Sequence, residues 1–309
     1  MTSVIETRGL TRRYGATDAV AGLTLQVPAG SVYALLGPNG AGKTTTIKML
    51  MNVLEPTVGA ATVLGRPTSQ LGPAEFRRIG YVSENHELPG WMTVGQMLDY
   101  YRPFYPAWDD GLCDRLLEQF ELRRAYRIRD LSRGMRMKAA LLSSLAFRPE
   151  LLVLDEPFSG LDPLVRDEFM GGVLELTEQA RWTGFVSSHD IDEVERLADW
   201  VGVINAGRLY LSEPLAKLQG RFRQIELVAS STPELPASRP AGWLSVEAAG
   251  HSVRILDAHY KEGASEDAVR AAFPSAGPLS LKPLSLREIF LALARTFRLE
   301  GRGHAGARS

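Results

Sequence analysis

Between positions 37 and 44 the sequence reads Gly-Pro-Asn-Gly-Ala-Gly-Lys-Thr, a spacing of glycines, lysine and hydroxyl suited to holding a chain of phosphates. Gly37, Gly40 and Gly42, with Pro38, Asn39 and Ala41 between them, let backbone N–H groups curl around phosphate oxygens. The helix expected to follow adds its partial positive charge. Lys43 would reach the β- and γ-phosphates, and the Thr44 hydroxyl would ligate Mg²⁺. Far along the chain, Leu151-Leu152-Val153-Leu154 runs into Asp155-Glu156. An apolar strand ending in Asp155 places a carboxylate oxygen beside the Mg²⁺ held by Thr44. Glu156, one residue on, can polarise the water that attacks the γ-phosphate.

Two further segments complete an ordered set. Leu131-Ser132-Arg133-Gly134-Met135 opens a helix, where the Ser132 hydroxyl and the Gly134 N–H can bind a phosphate. Ser187-Ser188-His189-Asp190 closes a strand. In this order the motifs resemble those of the ATP-binding cassette (ABC) proteins, over roughly residues 3–219. The resemblance implies that Tyr14 stacks on adenine, that the phosphate loop extends through Thr45, and that Leu131–Met135 is the signature motif. It also implies that Glu156 is the catalytic base, that Ser159-Gly160-Leu161-Asp162 is a dimer-contact loop, and that His189 is the switch histidine.

Two positions depart from the family pattern. Met135 stands where the signature usually ends in Gln, with little loss expected because the phosphate contacts come from Ser132 and Gly134. Glu84 stands at the loop glutamine and is expected to ligate Mg²⁺ alongside Thr44 and Asp155. Its added negative charge, about 5 Å from the γ-phosphate at an effective dielectric of ~20, would cost on the order of 3 kcal/mol unless screened.

These residues need a scaffold of alternating strands and helices. Ser31–Leu36, Ile79–Ser83, Leu151–Asp155, Gly184–Ser188 and Trp200–Asn205 read as buried strands, and Val4–Thr7 and Leu23–Val27 as half-buried ones. Helical patterns fall at Thr44–Leu54, Thr93–Tyr101, Asp110–Phe120, Ser132–Phe147, Pro163–Ala180 and Asp190–Asp199. The fold class expected is α/β: a P-loop ABC ATPase core with a mixed sheet, an antiparallel β subdomain and a helical insertion, followed by a small C-terminal α/β accessory domain. The boundaries expected are 1–219 for the nucleotide-binding domain, with its helical subdomain at about 89–147, and 220–309 for the accessory domain. Within the latter, 230–242 reads as a linker or long loop, Ser252–Leu256 as a strand, and Ser285–Glu288 as a capping box before an apolar helix face reaching Phe297. Residues 301–309 are expected to fray.

The 309 residues carry 45% apolar and 23% charged side chains and a net charge of −1, which argues against disorder and against a polyanion binder. The basic run Arg123–Lys138 reads as a solvated helical face, and no nucleic-acid partner is expected. A single cysteine, Cys113, excludes an intramolecular disulfide or a zinc–thiolate cluster and fits a reducing compartment. No signal-peptide pattern precedes the first strand, and no apolar run approaches the roughly 20 residues of a membrane span. One cassette without a span implies, by the resemblance, an ATP- and Mg²⁺-dependent hydrolase that pairs with a second ATPase subunit, a homodimer being simplest. It would work at the inner face of the cell membrane, cytoplasmic and peripheral, on separate integral permease subunits. Pro283–Phe290 resembles the tail of drug and antibiotic exporters of the ABC-2 type. The alternative is a soluble ABC ATPase acting on ribosomes or nucleic acid; neither a second cassette nor a coiled-coil insertion is present to favour it.

Overall fold

The computed structural model describes residues 2–179, 182–236 and 238–293, and the chain divides into two compact units, Met1–Ser212 and Glu213–Ser309.

The first unit opens with β1 (Ser3–Tyr14), β2 (Thr17–Leu23) and β3 (Gln26–Pro28), in which β1 pairs antiparallel with both neighbours. The expected strand Leu23–Val27 is broken at Thr24-Leu25, where the chain leaves β2 and re-enters as β3. Next come β4 (Val32–Leu36) and α1 (Lys43–Leu50), then β5 (Val58–Val63) and β6 (Arg66–Pro67), which return to the antiparallel sheet beside β1. After the short α2 (Pro73–Phe76) and β7 (Ile79–Ser83), three helices follow: α3 (Val94–Tyr101), α4 (Asp110–Gln119) and α5 (Arg133–Leu145). Each of the three has a side-chain N-cap, supplied by Thr93, Asp109 and Ser132. The chain continues with β8 (Leu151–Asp155), α6 (Pro163–Gln179), β9 (Thr183–Ser188), α7 (Ile191–Leu197), β10 (Trp200–Asn205) and β11 (Arg208–Pro214), the first unit ending at Ser212 within β11.

The central sheet has the order β11-β10-β4-β9-β8-β7. Its β10–β4, β4–β9, β9–β8 and β8–β7 pairs are all parallel, as expected of continuous apolar strands covered on both faces. The two-residue period of β8 shows this directly. Leu152 and Leu154 enter a core shared with α3, α4 and α5, whereas Leu151 and Val153 enter a core shared with α1 and the antiparallel strands. In β4, Val32 faces the first core and Tyr33 and Leu35 the second.

In the second unit α8 (Leu215–Arg221) leads into β12 (Arg223–Val228), β13 (Trp243–Ala249), β14 (Ser252–Asp257), α9 (Ala264–Ala272) and β15 (Ser280–Pro283). The strands form an antiparallel sheet in the order β13-β14-β12-β15. Ile225, Leu227, Trp243, Val246, Val253 and Ile255 pack with Val269 of α9 and with Phe273 just after it into a core of its own. The Ser285 capping box is present: the Glu288 N–H donates to Ser285 Oγ at 3.3 Å, and Glu288 Oε2 accepts from the Ser285 N–H at 2.8 Å. Phe297 and residues 301–309 lie outside the described residues.

Candidate active site

The parallel register decides where the chemistry meets. Leu36 lies opposite Ser188, Asp155 opposite Ser187, and Ser83 opposite Asp155, so four strands end together at one edge of the sheet. Gly37, His189, Glu156 and Glu84 are therefore the next residues on four neighbouring strands. Backbone bonds fix these exits: the Gly37 N–H donates to the Ser188 carbonyl at 3.3 Å, Glu156 N–H to Ser187 at 3.2 Å, and Glu84 N–H to Asp155 at 2.9 Å.

The phosphate loop crosses from β4 to α1. Pro38, Asn39 and Gly40 stand exposed at its crest, Ala41 and Lys43 are buried, Thr44 is exposed and Thr45 half-buried. Gly42 caps α1 at φ 106°, and a Cβ there would lie 2.5 Å from the Ala19 carbonyl of β2; one on Gly37 would lie 2.2 Å from the Ile204 carbonyl. The glycine pattern is thus set by backbone walls as well as by space for phosphate. Tyr14 lies where β1 turns into β2, half-exposed, with the Arg12 guanidinium 4.8 Å from its ring centre.

Behind the loop the charged groups connect in series. Lys43 Nζ donates to the Gly37 carbonyl at 2.6 Å and to Pro38 at 3.1 Å, and it lies 2.9 Å from Glu156 Oε1. The other Glu156 oxygen, Oε2, is 2.7 Å from His189 Nδ1. Glu156 has a left-handed backbone, φ 51°, in a non-glycine residue, a strained geometry that aims its carboxylate between Lys43 and His189. Asp155 Oδ1 accepts from the Thr44 hydroxyl at 3.1 Å and the Ser187 hydroxyl at 2.6 Å. Burial pushes the Asp155 carboxyl above the usual carboxylate range, partly offset by those two hydroxyl bonds. Thr44 and Asp155 thus present hard oxygen donors side by side next to a phosphate cradle, a donor set that suits Mg²⁺.

Three expected members stand apart from this series. The Glu84 carboxylate does not join Thr44 and Asp155: its Oε1 accepts from the Ser159 hydroxyl at 2.8 Å and from Arg133 Nη2 at 3.0 Å. In this structure that carboxylate is the acceptor of an ion pair with Arg133. Ser132 caps α5, its Oγ accepting from the Met135 N–H at 3.2 Å, and Gly134 is buried where a Cβ would press on Val165 at 2.9 Å.

Several partnerships at the site have no local signature in the sequence. Ser187 was legible as a strand residue, but its bonds to Asp155 Oδ1 and the Glu156 N–H (3.0 Å) follow from the β8–β9 register. Arg166 on α6 donates to the Leu161 carbonyl at 2.9 Å and contacts Glu193 of α7 at 2.7 Å, linking the Ser159–Asp162 loop to the segment after His189. Only an Asp-x-x-x-Arg spacing from Asp162 hinted at it.

A phosphate loop backed by an Asp–Glu strand end in a covered parallel sheet defines a P-loop nucleotide hydrolase. Residues 20–159 match the family described as ABC transporter. The bacitracin transport ATP-binding protein BcrA of Enterococcus faecalis is 33% identical over 226 residues, covering 72% of this chain and 73% of that protein. The Nod factor export ATP-binding protein I of Cupriavidus pinatubonensis is 33% identical over 218 residues, covering 67% of this chain and 65% of that one. A solved ATP-binding subunit of an ABC transporter superposes with a TM-score of 0.64 at 27% identity, covering 71% of this chain and 92% of its own. The chain belongs to the ABC transporter family and is an ATP-binding, ATP-hydrolysing subunit of that class. No helix among the described residues is long and apolar enough to cross a membrane.

Proposed function

We propose that this chain is the motor of an exporter, hydrolysing Mg²⁺-ATP as a homodimer to drive separate integral membrane subunits from the inner face of the membrane. The observation that carries the catalytic part is the placement of Glu156 between Lys43 at 2.9 Å and His189 at 2.7 Å. In this reading the phosphate loop from Gly37 to Thr45 holds the triphosphate, Tyr14 stacks on the base, and Lys43 moves from Glu156 to the β- and γ-phosphates as ATP enters. Glu156, relieved of its cation, then accepts a proton from the attacking water, and His189 holds the carboxylate by its other oxygen. Thr44 and Asp155 would hold Mg²⁺, which when bound offsets the negative charge of the phosphates.

Ser132 and Gly134 complete the reading. Both halves of a shared site are present in one chain: phosphate loop and carboxylates in one, a helix start able to take a γ-phosphate in the other. A second copy supplying the second half is the simplest arrangement. The helical stretch of residues 89–147 would dock on the membrane subunits, and residues 213–309 would be an accessory unit. A relative named for Nod factor export supports an exporting direction.

Glu156→Gln tests the reading. It should bind ATP yet slow hydrolysis roughly 10²- to 10⁴-fold, the usual contribution of a positioned general base, and accumulate as an ATP-bound dimer on a sizing column. Turnover like that of the natural chain would remove Glu156 from the chemistry.

A further inference from the structure

Glu84 presents a carboxylate where its charge would repel a γ-phosphate, and the geometry around it shows what that charge is used for. One oxygen, Oε1, receives the Ser159 hydroxyl at 2.8 Å and Arg133 Nη2 at 3.0 Å. Three segments therefore share a single acceptor: the loop after β7, the loop after β8 and the start of α5. A carboxylate brings a full negative charge to the Arg133 guanidinium and has no donor to misdirect, whereas an amide at this position could accept both bonds at its single oxygen but would lose the charge assistance.

The site is built around Arg133. Gly160 has φ 68°, and a Cβ there would lie 2.7 Å from Arg133 Nη1 and 2.9 Å from its Cζ, so the guanidinium rests on bare backbone. Gly134 is set against Val165, and Ser132 is occupied with the Met135 N–H. The Glu84 backbone is itself tied to the Asp155 carbonyl at 2.9 Å, so the acceptor is anchored to the strand that ends in Asp155 and Glu156.

We propose that Glu84, through Arg133 and Ser159, is a positioning residue that orients the Ser132–Gly134 helix start relative to the strand carrying Asp155 and Glu156, and not a ligand of the metal. The inference rests on the active-site reading above. It also answers the electrostatic objection to Glu84, because Arg133 compensates the carboxylate at 3.0 Å. As an isolated ion pair, with side chains 48% and 38% exposed, it would contribute little to stability. Its effect lies in geometry: misplacing a phosphate-binding helix start by a fraction of an ångström lowers turnover more than it lowers nucleotide affinity.

A double-mutant cycle in the full chain tests this, with Glu84→Gln, Arg133→Gln, the pair together, and the exchange Glu84→Arg with Arg133→Glu. Steady-state kcat and KM, equilibrium ATP binding and the Mg²⁺ concentration for half-maximal rate are measured for each. Each single change should lower kcat roughly three- to tenfold with KM and ATP affinity within about twofold. The double change should be no worse than the poorer single one, the exchange should recover at least half of the loss, and the Mg²⁺ requirement should not move. Additive losses, or a raised Mg²⁺ requirement in Glu84→Gln alone, would overturn the proposal in favour of a metal ligand. Should the exchanged chain melt early, Arg133→Lys and Ser159→Ala replace it: the lysine is expected to retain most of the rate and the alanine to lose part of it, and the reverse order overturns the proposal. Glu156→Gln in the otherwise natural chain separates the two readings. If it hydrolyses normally the active-site reading fails, and if it is inactive while the cycle is additive, only the role of Glu84 fails.

Discussion

Lys43 and Glu156 face each other at 2.9 Å with side chains only 5% and 10% exposed, so the phosphate-loop cation lies on the carboxylate of the second nucleotide motif. Two backbone carbonyls, Gly37 and Pro38, share the same ammonium. The strands that lead into the two residues, β4 before the loop and β8 before Glu156, are separated in the sheet by β9. Each charge is the principal compensation of the other in a buried setting.

Lys43→Ala should therefore do more than weaken ATP binding. It leaves the Glu156 carboxylate buried without its cation, and removal of one partner of a buried pair costs on the order of 3 kcal/mol. Urea unfolding without nucleotide should show that loss, and Lys43→Ala with Glu156→Gln should recover part of it. A double variant no more stable than Lys43→Ala would mean the pair carries no coupling.

Two glycines of the loop should respond differently to alanine. At Gly37 the added Cβ meets the Ile204 carbonyl at 2.2 Å, which a backbone shift must relieve, at about 2–3 kcal/mol. At Gly40 nothing lies within 4 Å, and only φ 80° opposes the change, costing about 1–2 kcal/mol. Thermal melts of the two variants check the order. Equal or inverted losses would show that the wall formed by Ile204 yields easily.

Asp109 should make stability fall in acid. Its carboxylate accepts from the Leu112 N–H at 2.8 Å and from Arg148 Nε at 2.8 Å, and these bonds, the backbone one first, hold its pKa below the ordinary 3.8. The native state then binds fewer protons than the unfolded one, so the contribution is complete above pH 3.8 and lost as pH falls through the lowered value. Asp109→Ala should cost about 1 kcal/mol at pH 7, and Asp109→Asn less because it keeps the cap. Both gaps should narrow in denaturant titrations near pH 3. A gap independent of pH would assign the effect to packing.

A shared site can be tested by complementation. Lys43→Ala disables the phosphate-loop half and Ser132→Arg blocks the helix-start half, so each homodimer should be nearly inactive. Once subunits exchange, random pairing makes half the dimers mixed, each with one intact site, and up to about a quarter of the natural activity should return. No recovery despite measured exchange would mean that both sites must be intact together or that the site is not shared.

Much of the site was legible because its residues are clustered in sequence by local need. A phosphate cradle needs glycines a few residues apart, and a strand that ends in two carboxylates announces itself. Relationships set by register were not legible: Ser187 reaches Asp155 only because β8 and β9 pair with those two residues opposite. Likewise Glu84 and Arg133 give no local sign of being partners; the metal expectation for Glu84 came from its place at the loop glutamine. Among the strands, β5 escaped because Val58, Gly59 and Ala60 are exposed and only Ala61 and Val63 are buried, leaving almost no alternation to read. In the second unit β12 and β13 were overlooked beside a Ser- and Pro-rich stretch, although Ile225 and Leu227 do alternate into the core.

The strand order has a consequence for how the protein is made. β4 is synthesised early, yet its sheet neighbours are β9 and β10, and the walls of its loop include Ile204 and Gly207. At about 5–20 residues per second, on the order of ten seconds separate emergence of the loop from emergence of those walls. Until β9 emerges at Thr183–Ser188, Val32–Leu36, buried along its whole length in the finished protein, has neither of its partner strands. The nascent chain therefore carries a five-residue apolar segment open to mispairing until β9 is made, and one of its two edges stays unpaired until translation passes residue 205.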